Sequence, residues 1–192
     1  MYSIIWKRLA DIMGSLFLGV IFSVVIFVIL VLYVCSFQYP IFFVQERIGQ
    51  KGKVFKLFKF RTLSPNVNTE FDTRRFFLGD FLRFFSLDEL PQLWNVIRGD
   101  MSLIGPRPLP VEYFSLFSKD EFERHVVRPG ITGWAQVNGR HSISWQKKFE
   151  LDRYYVNHIS FRLDALILFK TIVLLLSFKK DQSLKEEKFK GK

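Results

Sequence analysis

Two adjacent carboxylates, Asp88 and Glu89, lie two and three residues after Ser86, and further along the chain Arg107 lies between two prolines. The pattern S-x-x-E is typical of a capping box, in which Glu89 only reaches back to the Ser86 amide. Pro91 allows a second register with Asp88 as the N-cap, because proline is tolerated in a first helical turn. In both registers the acids meet the positive end of a helix, which favours their ionised forms.

These residue types also fit chemistry on phosphate groups. A carboxylate can attack phosphorus to form an acyl phosphate, which divides one difficult step into two. A second carboxylate can hold Mg²⁺, which prefers one or two carboxylates together with phosphate oxygens. The two prolines restrict the backbone of Arg107, and a fixed guanidinium suits bidentate phosphate recognition. A lone Pro-Arg-Pro is more often a simple turn, and a lone acidic pair more often stabilises a helix, so both interpretations stay open here.

The surrounding sequence predicts an α+β, mostly helical fold. Residues 41–63 alternate apolar and basic side chains around a turn-like Q-K-G-K, which predicts a β-hairpin; a basic amphipathic surface segment is the alternative. Two X-Pro steps make residues 99–110 an extended or turning connection. Helices are predicted at residues 74–85, 88–97, 111–127, 142–157 and 163–178. We divide the chain into an anchor helix (1–40), a catalytic domain (41–178) and a solvated basic tail (179–192).

The N-terminal region has the composition of a membrane segment. No charged residue occurs from residue 12 to residue 45, and residues 12–37 would form a helix of roughly 39 Å, against about 30 Å of hydrocarbon. The heavier basic flank follows this segment, which predicts a cytoplasmic body by positive-inside logic. The apolar stretch in 163–178 is too short to span, so amphipathic helices at the membrane interface are expected.

Composition narrows the function classes. The chain has 192 residues, a net charge of +10, 49% hydrophobic residues and 23 Phe. Because the basic residues flank a long uncharged segment, an anionic membrane surface is favoured over nucleic acid as the binding partner. Cys35 is the single cysteine, so a disulfide framework and a thiolate metal site are excluded. The sequence has no Walker loop, no D-x-D and no alternation of strands and helices typical of a doubly wound sheet.

Three ordered blocks carry a resemblance to a known family. LDELPQLWNVIRGDMSLIGPRP (residues 87–108) resembles the signature of the bacterial sugar transferases, the small monotopic phosphoglycosyl transferases. RPGITGWAQVNGR (128–140) and FELDRYYVNHISFRLDALIL (149–168) are similar to further blocks of that family. The resemblance implies transfer of a sugar-1-phosphate from a UDP-sugar to undecaprenyl phosphate, with release of UMP. It also implies Mg²⁺ as cofactor, a cytoplasm-facing site at the bacterial inner membrane, and downstream glycosyltransferases as further partners.

The resemblance also assigns roles to residues. It implies Asp88 as the nucleophile and Glu89 as the ligand of Mg²⁺. Substrate-binding roles are expected for Arg107, Arg140, Arg83, Asp164, Lys59 and Gln136. Without the family, Asp164 is a helix-start residue, Arg83 belongs to a solvated face, and Gln136 packs a loop. The rival hypotheses are a non-catalytic basic scaffold at a membrane surface and a polytopic transferase, which would need several membrane helices.

One feature departs from the family pattern. Relatives break the membrane helix with a Ser-Pro pair, whereas this chain has Ser23 followed by Val24. A helix without that proline satisfies its backbone in lipid, which favours a straight spanning helix. A straight helix would however be overlong and would put its two basic flanks on opposite sides. The sequence leaves both arrangements open, and we favour the re-entrant one.

Overall fold

The computed structural model describes residues 4–65, 72–139 and 142–177, together with residues 189 and 191. It is mostly helical with two small two-stranded sheets, which confirms the α+β class. The helices are α1 (Ile4–Ile21), α2 (Ser23–Cys35), α3 (Phe77–Phe84), α4 (Gln92–Arg98), α5 (Lys119–Phe122), α6 (Trp134–Val137), α7 (Trp145–Asn157) and α8 (Phe161–Leu176). The strands are β1 (Phe42–Ile48), β2 (Val54–Phe60), β3 (Ser102–Ile104) and β4 (Gly130–Thr132).

The predicted hairpin is present. Strands β1 and β2 pair antiparallel, with Phe42 opposite Phe60 and Ile48 opposite Val54. Because side chains alternate along β2, Leu57 and Phe60 lie on opposite faces: Leu57 packs in a hydrophobic cluster with α4, and Phe60 packs in another with α2 and α3. Lys59, two residues after Leu57, lies on the same face of β2 as Leu57, and its Nζ reaches the acids that follow α3.

The second sheet was not predicted. Strand β3 pairs parallel with β4, with Ser102 opposite Gly130 and Ile104 opposite Thr132. The strands approach so closely that a Cβ at Gly130 would lie 2.0 Å from the Gly105 nitrogen, so only glycine fits there. This pairing brings the Pro-Arg-Pro segment beside the glycine-bounded loop of the second family block.

The N-terminal helices are bent and rest on the body of the domain. Helices α1 and α2 meet at Phe22 with an angle of 58°. The Ser23 hydroxyl donates to the Val20 carbonyl at 2.7 Å, back across this break. Within the described part of the chain, no single helix is long and apolar enough to cross a membrane, whereas the bent pair together has the length and composition.

Polar side chains attach both helices to the domain. On α1, Arg8 donates to the carbonyls of the last residues of α4, and Asp11 accepts from Ser102 and the Leu103 amide. On α2, the Tyr33 hydroxyl donates to the Arg61 carbonyl. The helix pair therefore makes specific contacts with the domain at both ends.

Three local predictions were wrong. Ser86 has a left-handed backbone (φ 56°) and its side chain caps no helix, so neither capping register forms. The helix predicted at 111–127 is three short helical segments, because Phe117 is extended and Ser118 starts α5 with its own capping box. The solvated tail was predicted to include Phe189, but its side chain is 7% exposed and packs in an aromatic cluster.

Candidate active site

The acidic pair lies in a single 3₁₀ turn, Leu87–Glu89, between α3 and α4. The left-handed Ser86 ends α3 and reverses the chain, which carries both acids toward strand β2. Asp88 is 8% exposed, so its carboxylate is largely removed from water. Because the acids lie in a turn between two helices, a bound substrate can reach them without a rearrangement of either helix.

Three cationic side chains surround the two acids. Lys59 Nζ lies 2.6 Å from Glu89 Oε1 and 3.8 Å from Asp88 Oδ2. Arg107 Nη2 lies 3.3 Å from the same Glu89 oxygen. Arg83, on α3, donates to the Thr62 hydroxyl and is close enough to favour the ionised form of Asp88. These cations match the negative charge of a diphosphate substrate.

The pKa of Asp88 is shifted by its surroundings. The pKa of Asp88 is raised to about 6, chiefly by burial and also by the neighbouring Glu89 carboxylate. Lys59, Arg83 and Arg107 act in the opposite direction, but they do not cancel the burial effect. Asp88 is therefore an anion at neutral pH whose charge is poorly solvated, as expected for a reactive carboxylate.

The backbone around Arg107 is fixed from two sides. The Arg107 carbonyl accepts from Arg124 Nη2 at 2.7 Å, and the Pro108 carbonyl accepts from Arg47 Nη1 at 3.2 Å. The Leu109 carbonyl accepts from the amide of Ile48 at 3.0 Å, which ties the segment to β1. The Arg107 side chain is 39% exposed and lines the pocket described below.

A small pocket opens between these residues. It is lined by Lys59, Glu89 and Arg107 together with Arg47, Leu57, Gln92, Pro108 and Gly130. Arg47 and Gln92 were not predicted as site residues. Gln92 follows Asp88 by four residues, a spacing that places two side chains on one helix face, and this was the available signal. Arg47 was counted only in the basic flank of the apolar segment.

The remaining predicted residues are placed differently. Asp164 is buried on α8, where it pairs with Lys7 at 2.8 Å and accepts from the Tyr155 hydroxyl at 2.8 Å. Gln136, on α6, donates to the Ile131 carbonyl, just after the pocket-lining Gly130. The structure thus groups Asp88, Glu89, Lys59, Arg83 and Arg107, whereas Asp164 contacts α1 and α7. Arg140 lies outside the described residues.

The acids fit the donor set of Mg²⁺. No cluster of three or more His, Cys, Asp or Glu side chains able to hold a metal occurs among the residues that the structure describes. Mg²⁺ bound with substrate phosphates needs only one or two carboxylates, since it keeps several waters. Of the two acids, Glu89 would be the better placed to hold Mg²⁺, because its side chain lines the pocket and is 19% exposed, against 12% for Asp88.

Comparisons with known proteins identify the family of this chain. The model of the family described as "Bacterial sugar transferase" matches residues 2–178. The chain belongs to the bacterial sugar transferases. The family match and the relatives support a phosphoglycosyl transferase, which confirms the resemblance seen in the three sequence blocks.

Several members of the family are similar over most of this chain. "Uncharacterized sugar transferase EpsL" of Bacillus subtilis (strain 168) is 46% identical over 88% of this chain and 86% of its own length. An Aeromonas hydrophila "UDP-N-acetylgalactosamine-undecaprenyl-phosphate N-acetylgalactosaminephosphotransferase" is 36% identical over 89% of this chain. A Klebsiella pneumoniae "UDP-glucose:undecaprenyl-phosphate glucose-1-phosphate transferase" is 37% identical over 88%. This chain covers only 44% and 40% of the length of the last two.

Proposed function

We propose that this sugar transferase moves a sugar-1-phosphate from a UDP-sugar to undecaprenyl phosphate through a covalent intermediate on Asp88. The observation that carries the proposal is the buried Asp88 carboxylate beside Glu89 and the cations Lys59, Arg83 and Arg107. The names of the relatives specify UDP-sugars as donors and undecaprenyl phosphate as acceptor, which supports the same substrates here.

The reaction proceeds in two displacements at phosphorus. In the first, an Asp88 oxygen attacks the sugar-bearing phosphorus and forms an acyl phosphate, and the bridging oxygen leaves with its electron pair on UMP. In the second, an oxygen of undecaprenyl phosphate attacks the same phosphorus, and the bonding pair returns to the Asp88 carboxylate. The products are UMP and the polyprenyl-diphosphate-sugar, which is the first membrane-bound intermediate of glycoconjugate assembly.

The cations bring together substrates that repel one another. Lys59 and Arg107, now paired with Glu89, are placed to neutralise donor phosphates once a substrate enters. Glu89 would hold Mg²⁺, which would supply Lewis-acid neutralisation of the diphosphate charge. The positive charge of Arg83 lowers the pKa of Asp88, which favours the anionic nucleophile.

The same site must reach a lipid substrate, so we place it at the cytoplasmic face of the bacterial inner membrane. The bent pair α1–α2 is the membrane anchor (1–40) and enters and leaves on one face, with the catalytic domain (41–178) and the basic tail (179–192) outside the hydrocarbon. Large apolar side chains are exposed along both anchor helices, along α3 and along α8. Such side chains suit helices at or within a membrane interface.

The decisive experiment is UMP release by the purified full chain from a panel of UDP-sugars, with undecaprenyl phosphate and Mg²⁺. With donor alone, the intact mass of the wild type should increase by one phosphosugar. Asp88→Asn keeps the shape of the side chain but removes the nucleophile, so it should lose both turnover and the adduct. Asp80→Asn, an exposed acid on α3 paired with Arg75, is the matched control and should behave as wild type.

The outcomes separate the alternatives. An adduct on Glu89, or normal turnover by Asp88→Asn, would contradict the assigned nucleophile. No UMP release from any donor would favour a non-catalytic scaffold at the membrane surface, which has no need of the acidic pair. The preferred UDP-sugar identifies the donor.

A further inference from the structure

A buried ion pair lies behind the candidate active site. Arg124 Nη2 lies 2.8 Å from Asp152 Oδ2, and both side chains are 3% exposed. A second contact joins Arg124 Nε to the same oxygen at 3.0 Å. The Arg124 guanidinium also lies over the Phe149 ring, 5.5 Å from its centroid. These contacts leave the guanidinium little freedom to move.

The same guanidinium reaches the active-site backbone. Arg124 Nη2, the atom paired with Asp152, also donates to the carbonyl of Arg107 at 2.7 Å. The Arg107 side chain is 39% exposed, more than that of Lys59 at 16%, and its direction depends on its backbone. Arg124 therefore connects the long helix α7 directly to the backbone of a phosphate-facing residue.

Stability alone does not account for such a pair. Removing two charges from water costs several kcal/mol per ion, and well-packed apolar residues often replace buried pairs without loss. A guanidinium that pairs with an acid through one edge and donates to a specific carbonyl supplies fixed geometry, which lysine and apolar side chains lack. That property matters where a phosphate contact must be preorganised.

We propose that Arg124, held by Asp152, is a positioning residue that orients the Arg107 guanidinium toward the donor phosphates. This inference rests on the proposed function, since it concerns the same reaction. Arg124 touches neither substrate nor reacting atoms in this scheme. It acts through the Arg107 backbone, so its contribution should depend on the presence of the Arg107 side chain.

A double-mutant cycle tests that dependence. Arg124→Lys keeps the charge opposite Asp152 but lacks a planar fork that reaches both partners. It should lower kcat/KM for UMP release about tenfold in the wild-type background, because misplaced phosphate contacts are costly. In the Arg107→Ala background, where there is no guanidinium to orient, the same change should cost less than about twofold. Thermal unfolding is measured for all four proteins.

Two further variants complete the design. Arg153→Lys is the matched control, because Arg153 follows Asp152 on α7 and pairs at the surface with Glu123; it should leave kcat/KM unchanged. If Arg124→Lys does not fold, Asp152→Asn replaces it in the cycle, since it keeps the shape of the acid and a hydrogen-bond acceptor. Its effect should be smaller and equally dependent on Arg107.

Each outcome decides the inference. Losses of equal size in both Arg107 backgrounds would overturn it and leave Arg124 a purely structural residue. Absence of turnover by the wild type would instead overturn the proposed function, and the inference with it. Full activity of Arg107→Ala would overturn the inference through the role of Arg107, while leaving the reaction itself intact.

Discussion

The charge of Asp88 gives turnover a predictable pH dependence. Because burial raises the pKa of Asp88 to about 6, its carboxylate becomes protonated and non-nucleophilic below that pH. We therefore expect kcat/KM to fall with decreasing pH, approaching about tenfold per pH unit well below 6. The measurement is UMP release at subsaturating donor between pH 5 and 8.

Histidines are the obvious confounding groups in that profile. Burial lowers the pKa of His125 to about 3, so it stays neutral across the measured range. A His141→Gln, His158→Gln double variant removes the other two histidines and should keep the same profile. A profile that becomes flat in this variant would show that a histidine, and not Asp88, controls the pH dependence.

Glu89 should act through the metal. Glu89→Gln removes one negative charge from the ligand set while keeping the side-chain size, so the apparent affinity for Mg²⁺ should fall about 10–100-fold, a range typical of losses at metal sites. High Mg²⁺ should restore part of the turnover. Titration of Mg²⁺ at fixed donor is the measurement, with Glu150→Gln on the exposed side of α7 as control. An unchanged titration would exclude Glu89 as the ligand.

The sequence predicted the kind of chemistry at the site better than it predicted which residues form the site. Local patterns singled out Asp88, Glu89 and Arg107 as candidates, but only the family resemblance favoured a role in the reaction over capping and a simple turn. Lys59 and Arg83 were expected to bind substrate, but their approach to the acids through the hairpin and α3 was not predicted. Arg47 and Arg124 act on backbone carbonyls far along the chain, and no local pattern reports such contacts.

At the scale of elements, the break at Phe22 predicts where proline is tolerated. Val24 lies in the first turn of α2, where amide groups have no partner within the helix, so Val24→Pro should retain activity and membrane incorporation. Val31 lies inside α2, and Val31→Pro removes a helix hydrogen bond, at a cost of about 3 kcal/mol. Both valines are exposed on the helix surface, so packing differences are limited.

The readouts for the proline pair are the fraction of protein in membranes and the rate of UMP release. Equal damage by both prolines would mean that the chain runs through Phe22 as one straight helix in the membrane. That result would support the continuous helix that Val24, in place of the family proline, favours.

Elements with regular periodicity were predicted well, and those set by tertiary contacts were not. The hairpin and the helices α3, α7 and α8 fall close to their predicted ranges. The β3–β4 pairing is only three residues long per strand and depends on the close approach of Gly105 and Gly130, which periodicity does not report. The bend at Phe22 also lacks a local breaker, since Ser23 bends helices only weakly.

At the scale of the whole molecule, contacts at both ends of the helix pair determine the membrane topology that we expect. Lys7 pairs with Asp164 on α8, and Arg8 donates to carbonyls of α4, so the start of α1 lies against the domain. The Tyr33 hydroxyl, near the end of α2, donates to the Arg61 carbonyl of the same domain. A spanning helix would separate these two ends by about 30 Å of hydrocarbon and break one set of contacts.

We therefore expect Ser3 to lie on the cytoplasmic side, together with the catalytic domain. In a Cys35→Ser background, which has no other cysteine, Ser3→Cys should resist an impermeant thiol reagent added to intact cells and react after the membrane is permeabilised. Lys119→Cys, at an exposed position of the domain, is the control and should behave identically. Labelling of Ser3→Cys but not of Lys119→Cys in intact cells would establish a spanning helix, because the two residues would then face opposite sides of the membrane.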